Sequence, residues 1–283
     1  MQKFKETFMK LVFFICALLS IAAVLLICIF LFANGVPAML EIGISEFIGG
    51  IEWKPLQNLF GILPMIIGSI YVTAGAILFG VPQGLLCAVF LAKFCPKKIY
   101  KPLKSIVNLL VGVPSIVYGF FGLTVIVPVM QYIFGGSGKS VLTASFVLGV
   151  MILPTIVSVS ESAINAVPES YYEGALALGA THERSVFCSM LPAAKSGVMA
   201  GIILGIGRAI GEAMAVSMVA GNQPIIPNSF LSGVRTLTSN IVLEMGYAAD
   251  LHREALIATA VVLFVFILII NLLFSLIKKG EKR

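Results

Sequence analysis

Along most of this chain, apolar residues follow one another without the polar interruptions that a water-facing surface would require. Five apolar stretches, at residues 11–33, 68–92, 141–163, 197–220 and 255–277, are long enough to cross a bilayer as helices, since about 20 residues cover the hydrocarbon core. A sixth, 106–134, is equally apolar but is punctuated by Gly112, Pro114, Gly119, Gly122 and Pro128. Such residues are tolerated in a span when neighbouring helices satisfy the freed backbone groups. The pattern predicts an all-α polytopic membrane protein with six transmembrane helices, the third kinked and buried among the others. The first follows a basic "MQKFKETFMK", as a signal core would, but its apolar run is about twice the usual signal length of 7–15 residues. It reads as an uncleaved first helix.

Composition agrees. Of 283 residues, 59% are hydrophobic and only 11% are charged, against about a quarter charged in soluble domains. The net charge of +6 is no argument for nucleic-acid binding in such a chain, because placement matters more than the sum. With six spans both termini share one face. That face collects Lys3, Lys5, Lys10, Lys93, Lys97, Lys98, Lys101, Lys104, Arg184, Lys195, Lys278, Lys279, Lys282 and Arg283, whereas the opposite loops hold only Lys54, Lys139, Arg235 and Arg253. The imbalance predicts cytoplasmic N and C termini. Cys16, Cys28 and Cys87 fall inside spans and Cys95 and Cys188 in cytoplasmic segments. None stands where an oxidising compartment would pair it, and no spacing fits a metal site.

The outer segments carry few signals. Residues 34–63 include Glu41, Glu46, Glu52 and the only tryptophan, Trp53, which is expected as an interface anchor. Residues 222–254 open with Pro224 and Pro227 and then hold enough helical periodicity for a short helix lying on or dipping into the outer face. "GGSGKS", Gly135 to Ser140, imitates the end of a phosphate-cradling loop. Ile133 stands where that motif needs its first glycine, and the strand–loop–helix context is missing. The stretch is a turn, and the chain is expected to hold no nucleotide or other cofactor of its own.

Between the fourth and fifth spans, residues 165–196 are punctuated as two short helices. Pro168 suits a first turn, Gly179 a left-handed stop and Thr181 an N-cap, with Glu183 near the positive helix end. Val186, Phe187, Met190 and Leu191 form an apolar stripe, and Pro192 discourages continuation. Glu173 offers charge, while Gly174 and Ala175 let another surface come close. Such a hairpin either docks a partner or merely caps the bundle.

"EGALALGATHERSVFCSMLP", Glu173 to Pro192, resembles the EAA signature of ABC-importer permeases, with Glu173, Gly174, Ala175, Gly179, Leu191 and Pro192 at the matching places. Ser189 departs from it, standing where that family usually has isoleucine. The resemblance implies that the hairpin is a coupling helix seated in a cleft of an ATPase subunit. "GVPSIVYGFFGL", Gly112 to Leu123, and "GIGRAIGEAMAV", Gly205 to Val216, resemble the C-type permease of the phosphate-specific (Pst) importer. With the hairpin and the helix layout, the similarity runs from about residue 68 to the C-terminus.

That second motif carries Arg208 and Glu212 in the middle of a span, where one charge costs roughly 2.5–3.5 kcal/mol. Spaced i, i+4, they are expected to share a helix face and pair. Gly201, Gly205, Gly211, Ala209, Ala213 and Ala215 leave little bulk around them, which favours close helix packing. Three roles stay open: Arg208 presenting its fork of donors to a passing oxyanion, a gate that moves with the transport cycle, or a static pair fixing helix register. Ser115 and Tyr118, beside Pro114, are further pathway candidates, Tyr118 also being an ordinary interhelical hydrogen bonder. Gln83, Thr73 and Thr124 read as packing or helix–helix bonds, His182 as part of a solvated hairpin face, and Glu161 as a carboxylate reaching water.

Together the resemblances imply a non-catalytic permease subunit of an ATP-driven phosphate importer in a prokaryotic cell membrane. Its implied partners are a sister permease, two copies of an ATP-binding subunit that use the ATP, and an external phosphate-binding protein. A permease for another oxyanion, a gradient-driven secondary transporter and a non-transporting scaffold are the alternatives. The secondary transporter would call for matched broken helices in two halves.

Overall fold

The computed structural model describes the backbone of residues 2–280 and the side chains of residues 6–273. Lys3, Lys5, Lys278, Lys279, Lys282 and Arg283, which contribute to the charge imbalance, have side chains outside the described residues. Among the described residues, six helical segments are long and apolar enough to cross a membrane: Glu6–Ile42, Leu63–Phe94, Ser115–Phe134, Val141–Asn165, His182–Gly211 and Asp250–Leu273. The number of crossings agrees with the hydropathy pattern. Several of their boundaries do not, and the differences shape the site.

Helix α1 (Gln2–Ile42) continues through Asn34, Gly35 and Pro37, where an outer loop is predicted. Its far end is buried against α13 (Asp250–Gly280). A Cβ on Gly35 would lie 2.7 Å from Val261 Cγ2, so only glycine lets the two helices close there. The rest of α1 presents Phe13, Phe14, Leu18, Leu19 and Leu26 outward, as a helix facing lipid does. A short α2 (Ile44–Gly49) and an antiparallel hairpin, β1 (Trp53–Lys54) against β2 (Leu59–Phe60), complete the segment between the first and second spans. That hairpin is a small departure from the all-α expectation.

The second span is α3 (Leu63–Val89), extended by a π turn over Phe90–Phe94. The apolar run 106–134 is not one kinked helix. Residues up to Gly112 belong to a separate helix, α4 (Lys97–Gly112), and the chain is extended at Val113 and Pro114. The run resumes at Ser115 as α5 (Ser115–Phe121), a π turn (Gly122–Ile126) and α6 (Val127–Phe134), and Gly122 packs on Val147 of the fourth span, so the break lies inside the bundle. Proline explains the break, since it lacks an N–H and pushes the preceding residue out of helical geometry.

The most enclosed helix is the fourth span, α7 (Val141–Asn165), rather than the third. Glycines on both neighbours bring it in. Gly80 of α3 meets Gly149 and Ile152, and Gly197 and Gly205 of α10 (Leu191–Gly211) meet Ala163 and Ile156. Thr143, Leu148, Met151, Ile152 and Ile156 are buried as a result.

The segment after α7 forms α8 (Ser170–Ala177), stopped by Gly179 in the left-handed region at φ +83°. Thr181 Oγ1 then accepts from the Arg184 N–H and starts α9 (His182–Ser185), as its cap signature predicts. Pro192 does not end this arm. A π turn over Val186–Met190 accommodates the proline, and the helix runs straight on as α10. All three π turns end two residues before a proline (Pro96, Pro128 and Pro192). Before Pro128 and Pro192, where the helix continues, widening the turn relieves the clash that the ring makes with the carbonyl one turn back, whereas before Pro96 the helix simply ends at extended Cys95. The fifth span therefore reaches from the hairpin to Gly211, beginning earlier and ending sooner than the predicted 197–220. After a break it resumes as α11 (Met214–Val219). The predicted outer helix is α12 (Leu237–Glu244), capped by Thr236 and dipping into the bundle, with Leu237, Thr238, Ser239, Asn240 and Glu244 buried.

Candidate functional site

The break between α10 and α11 places both intramembrane charges. Arg208 stands in the last turn of α10, where the final carbonyls lack helical partners and a positive charge is favoured. Glu212 is extended backbone (φ −74°, ψ 125°). Its Oε1 accepts from the Ala215 N–H at 3.0 Å, at the positive end of α11, and its carbonyl accepts from Thr238 Oγ1 at 2.8 Å. The predicted i, i+4 pair therefore does not exist: among the described residues, Arg208 and Glu212 form no ion pair, because the helix that would align them stops at Gly211. Each charge answers a different helix end instead.

Arg208 is half-buried, and its Nη1 donates to Thr155 Oγ1 of α7 at 3.4 Å. Thr155 lies ten residues from the hairpin end of α7, which at 1.5 Å per residue is about 15 Å, near mid-depth. Its long bond to Thr155 leaves most of the guanidinium's donors for another acceptor. Tyr118 is buried and its hydroxyl donates to the Leu110 carbonyl at 2.9 Å, bridging the α4–α5 break as an interhelical hydrogen bonder. Ser115 is the half-buried first residue of α5. Among the described residues, neither is hydrogen-bonded to Arg208 or Glu212. Thr124 bonds its own helix at the Phe120 carbonyl, Thr73 is buried and Gln83 is exposed.

At the hairpin, no residue of α8 is buried. A groove of about 670 Å³ is lined by Tyr171, Gly174, Ala175, Leu178, Gly179, Ala180, Arg184, Cys188 and Ser189. Glu173 is exposed beside it, and Leu178 is 91% exposed. The predicted anchor stripe is split: Phe187 stays exposed, and the rest points the other way. Val186 and Met190 are fully buried, Val186 packing with Val89, Ile164, Ala194 and Val198, and Leu191 leans on that cluster. Leu191 thus holds the hairpin to the bundle, Pro192 is exposed, and Gly174, Ala175 and Gly179 line the groove. Ser189 Oγ donates to the Tyr171 carbonyl at 2.9 Å, pinning the two arms together where isoleucine could not. His182 is not merely solvated: its Nδ1 lies 2.8 Å from the Tyr172 hydroxyl, and its ring meets Phe94 edge-on at 4.7 Å.

Two buried carboxylates were not legible as sites. Glu161 is 2% exposed and does not reach water. It accepts from the Tyr100 hydroxyl at 2.7 Å and from Lys104 Nζ at 2.6 Å. That bond to a carboxylate holds the Tyr100 phenol above its ordinary range, by favouring the protonated form. At the opposite end, Glu244 collects Trp53 Nε1 at 2.8 Å, His252 Nε2 at 2.9 Å and the Arg235 guanidinium. Trp53 is consequently a buried clamp residue, not an interface anchor. The lysines spaced along 97–104 hint at the first cluster. No local signal announces the second, whose partners lie up to 191 residues apart.

Six crossings, a mid-membrane helix break and an exposed hairpin between the fourth and fifth spans define the membrane-spanning subunit of a transporter. The chain belongs to the family of binding-protein-dependent transport system inner membrane components, whose model matches residues 80–283. It is therefore a multi-pass inner-membrane ABC transporter permease subunit. It is 40% identical over 92% of its length to the probable ABC transporter permease protein YqgH of Bacillus subtilis, covering 88% of that protein. It is 34% identical to the phosphate transport system permease protein PstC of Mesorhizobium japonicum, over 86% of this chain and 81% of that one. Among solved structures, the fold matches a subunit of the MetNI methionine ABC transporter with TM-score 0.65 and 20% identity, over 82% of this chain and all of that one. A bacterial alginate ABC transporter matches with TM-score 0.60 and 15% identity, over 94% of this chain and 96% of that one.

Proposed function

We propose that this chain is the phosphate-conducting permease of an ATP-driven importer, with its hairpin face and both termini in the cytoplasm. The observation that carries the reading is Arg208, a half-buried guanidinium near mid-depth with a single long bond to Thr155 among the described residues. A planar fork of donors suits a tetrahedral oxyanion, and the similarity to PstC proteins over most of the chain points to phosphate. The sister permease forms the other wall of the pathway. Two ATP-binding subunits seat the hairpin through Glu173, Gly174, Ala175, Gly179 and the exposed Leu178. A phosphate-binding protein delivers substrate to the opposite face.

The chain itself makes and breaks no bonds and holds no cofactor; ATP is used by the partners. Closure of the ATPase pair pushes the hairpin. Since α9, the π turn and α10 form one continuous rod, the push reaches Arg208 and the break at Glu212 directly. Arg208 binds phosphate transiently, as permeation requires binding that also releases. The test is ATP turnover by the complete complex reconstituted in proteoliposomes with its binding protein. Phosphate should stimulate it and drive uptake, while sulfate should not. Equal stimulation by sulfate would reassign the substrate, and uptake driven by an ion gradient without ATP would reject the importer.

A further inference from the structure

We infer that the groove between α4 and α10, floored by α7, carries the oxyanion from Arg208 to the hairpin face, with Asn108, Thr155 and Ser158 forming a relay site along it. The inference rests on the reading of Arg208 as the charged residue of the pathway. The floor follows from spacing. Thr155, Ser158, Ser162 and Asn165 recur along α7 at intervals of three and four residues, which puts them on one helix face. Neighbouring helices cover the other faces. Gly197, Gly201 and Gly205 of α10 lie against Ala163, Val159 and Ile156, and Gly84 of α3 lies against Ile156 and Leu153. Tyr100 and Lys104 of α4 are bonded to Glu161. At about 100° per residue, the hydroxyl face falls between α10 and α4, away from α3.

That face is shut on one side of Arg208 and open on the other. Met151, one turn before Thr155, is 1% exposed. Towards the hairpin, Thr155 and Ser158 are partly exposed, and Ser162 and Asn165 are exposed. Thr155 takes the Arg208 bond. Ser158 Oγ, next along the face, is closed off from solvent and has no hydrogen-bond partner among the described residues. A hydroxyl left in that state is costly unless a ligand or water visits it. The wall is α4, which runs from the hairpin face into the bundle: Leu110 and Val113 pack against the central core, and Gly119 just beyond meets Ala215. Since Lys104 opposes Glu161, Asn108 lies one turn deeper, about 6 Å, level with the stretch from Thr155 to Ser158. It stands on the flank of α4 beside that contact and is exposed, without a hydrogen-bond partner among the described residues. The opposite flank carries exposed Ile99 and Ile106. At this depth an apolar flank suits lipid, whereas polar groups mark a water-filled path. An amide and two hydroxyls can donate to an oxyanion without holding it, as a step between a guanidinium and water requires. Glu161, the carboxylate beside the route, is 2% exposed and paired with Lys104, so it presents no bare negative charge.

The experiment places Asn108→Cys or Ile106→Cys in the complete complex in nanodiscs and adds a negatively charged methanethiosulfonate. Peptide mass spectrometry reads labelling at the introduced cysteine alone. Asn108→Cys should be labelled at least about tenfold faster than Ile106→Cys, because a charged reagent is excluded from lipid. Millimolar inorganic phosphate should slow it. In parallel, Asn108→Leu with Ser158→Ala should lower phosphate uptake by about tenfold. The thermal midpoint should stay where it was, since one side chain is exposed and the other hydroxyl has no partner to lose. Equal labelling of the two positions, labelling indifferent to phosphate, or unchanged uptake would each overturn the inference. A lowered thermal midpoint accompanying the loss of uptake would make these residues architectural and would also reject it. Protection by sulfate as good as that by phosphate would uphold the route while overturning phosphate as the solute, so the two readings fail separately.

Discussion

Replacing Arg208 with glutamine separates transport from architecture, because the structure assigns the side chain so little structural work. Its bond to Thr155 is 3.4 Å long, at the weak end of the range. Giving it up should lower stability by no more than about 1 kcal/mol. The same guanidinium facing a phosphate would contribute a hydrogen bond between charged groups, about 1.5–3 kcal/mol. Each 1.4 kcal/mol is tenfold, so uptake at low phosphate should fall by roughly one to two orders of magnitude. Arg208→Lys keeps the charge but loses the fork and should fall between. Glu212 caps α11 rather than pairing with Arg208, so exchanging the two residues should not restore transport. The assay is the initial rate of labelled phosphate uptake into vesicles holding equal amounts of complex, with thermal unfolding measured in parallel. Uptake within twofold of the original would refute the pathway role. A large loss of thermal stability would show Arg208 to be architectural, and rescue by the exchanged pair would restore the ion pair that the helix break rules out.

Three further outcomes are expected. Gly80→Ala would place its Cβ 2.8 Å from the Gly149 carbonyl oxygen and 2.7 Å from Ile152 Cγ1, forcing α3 off α7 at about 1–3 kcal/mol; thermal unfolding in detergent would detect it, and an unchanged midpoint would contradict the close packing. Lys104→Met strands the Glu161 carboxylate with only Tyr100, which should destabilise by about 3–5 kcal/mol, whereas the double change with Glu161→Leu should recover much of that. Strict additivity in that thermal cycle would deny the coupling. Leu178→Asp should weaken recovery of the ATP-binding subunit on co-purification without moving the thermal midpoint, since the side chain is uncovered; full recovery would place the docking surface elsewhere.

Much of the hairpin was legible because its signals are local. Gly179 had to take a left-handed turn and Thr181 to cap the second short helix, and both do. The apolar stripe of Val186 and Met190 was equally visible, but which surface it would meet was not. Periodicity says that residues share a face, not whether that face meets a partner or the chain's own bundle. Pro192 misled for a related reason. A proline blocks one hydrogen bond, and a π turn backed by burial of Val186 and Met190 absorbs the fault without ending the helix. Arg208 and Glu212 were singled out by the expense of charge in lipid. Their pairing assumed an unbroken helix, and the break at Glu212 is sustained by Thr238, from a segment well beyond it in sequence.

The sequence by itself determined that this protein lives in a bilayer, how many times it crosses, and where its charged exceptions stand. Transfer of apolar surface out of water and the period of a helix are properties of each stretch alone. Only the tertiary structure decided where helices break, which of them is central, and that Glu161 and Glu244 are enclosed by residues from distant segments. A buried polar group must find its partner wherever the fold brings one, and no local pattern records which partner that will be.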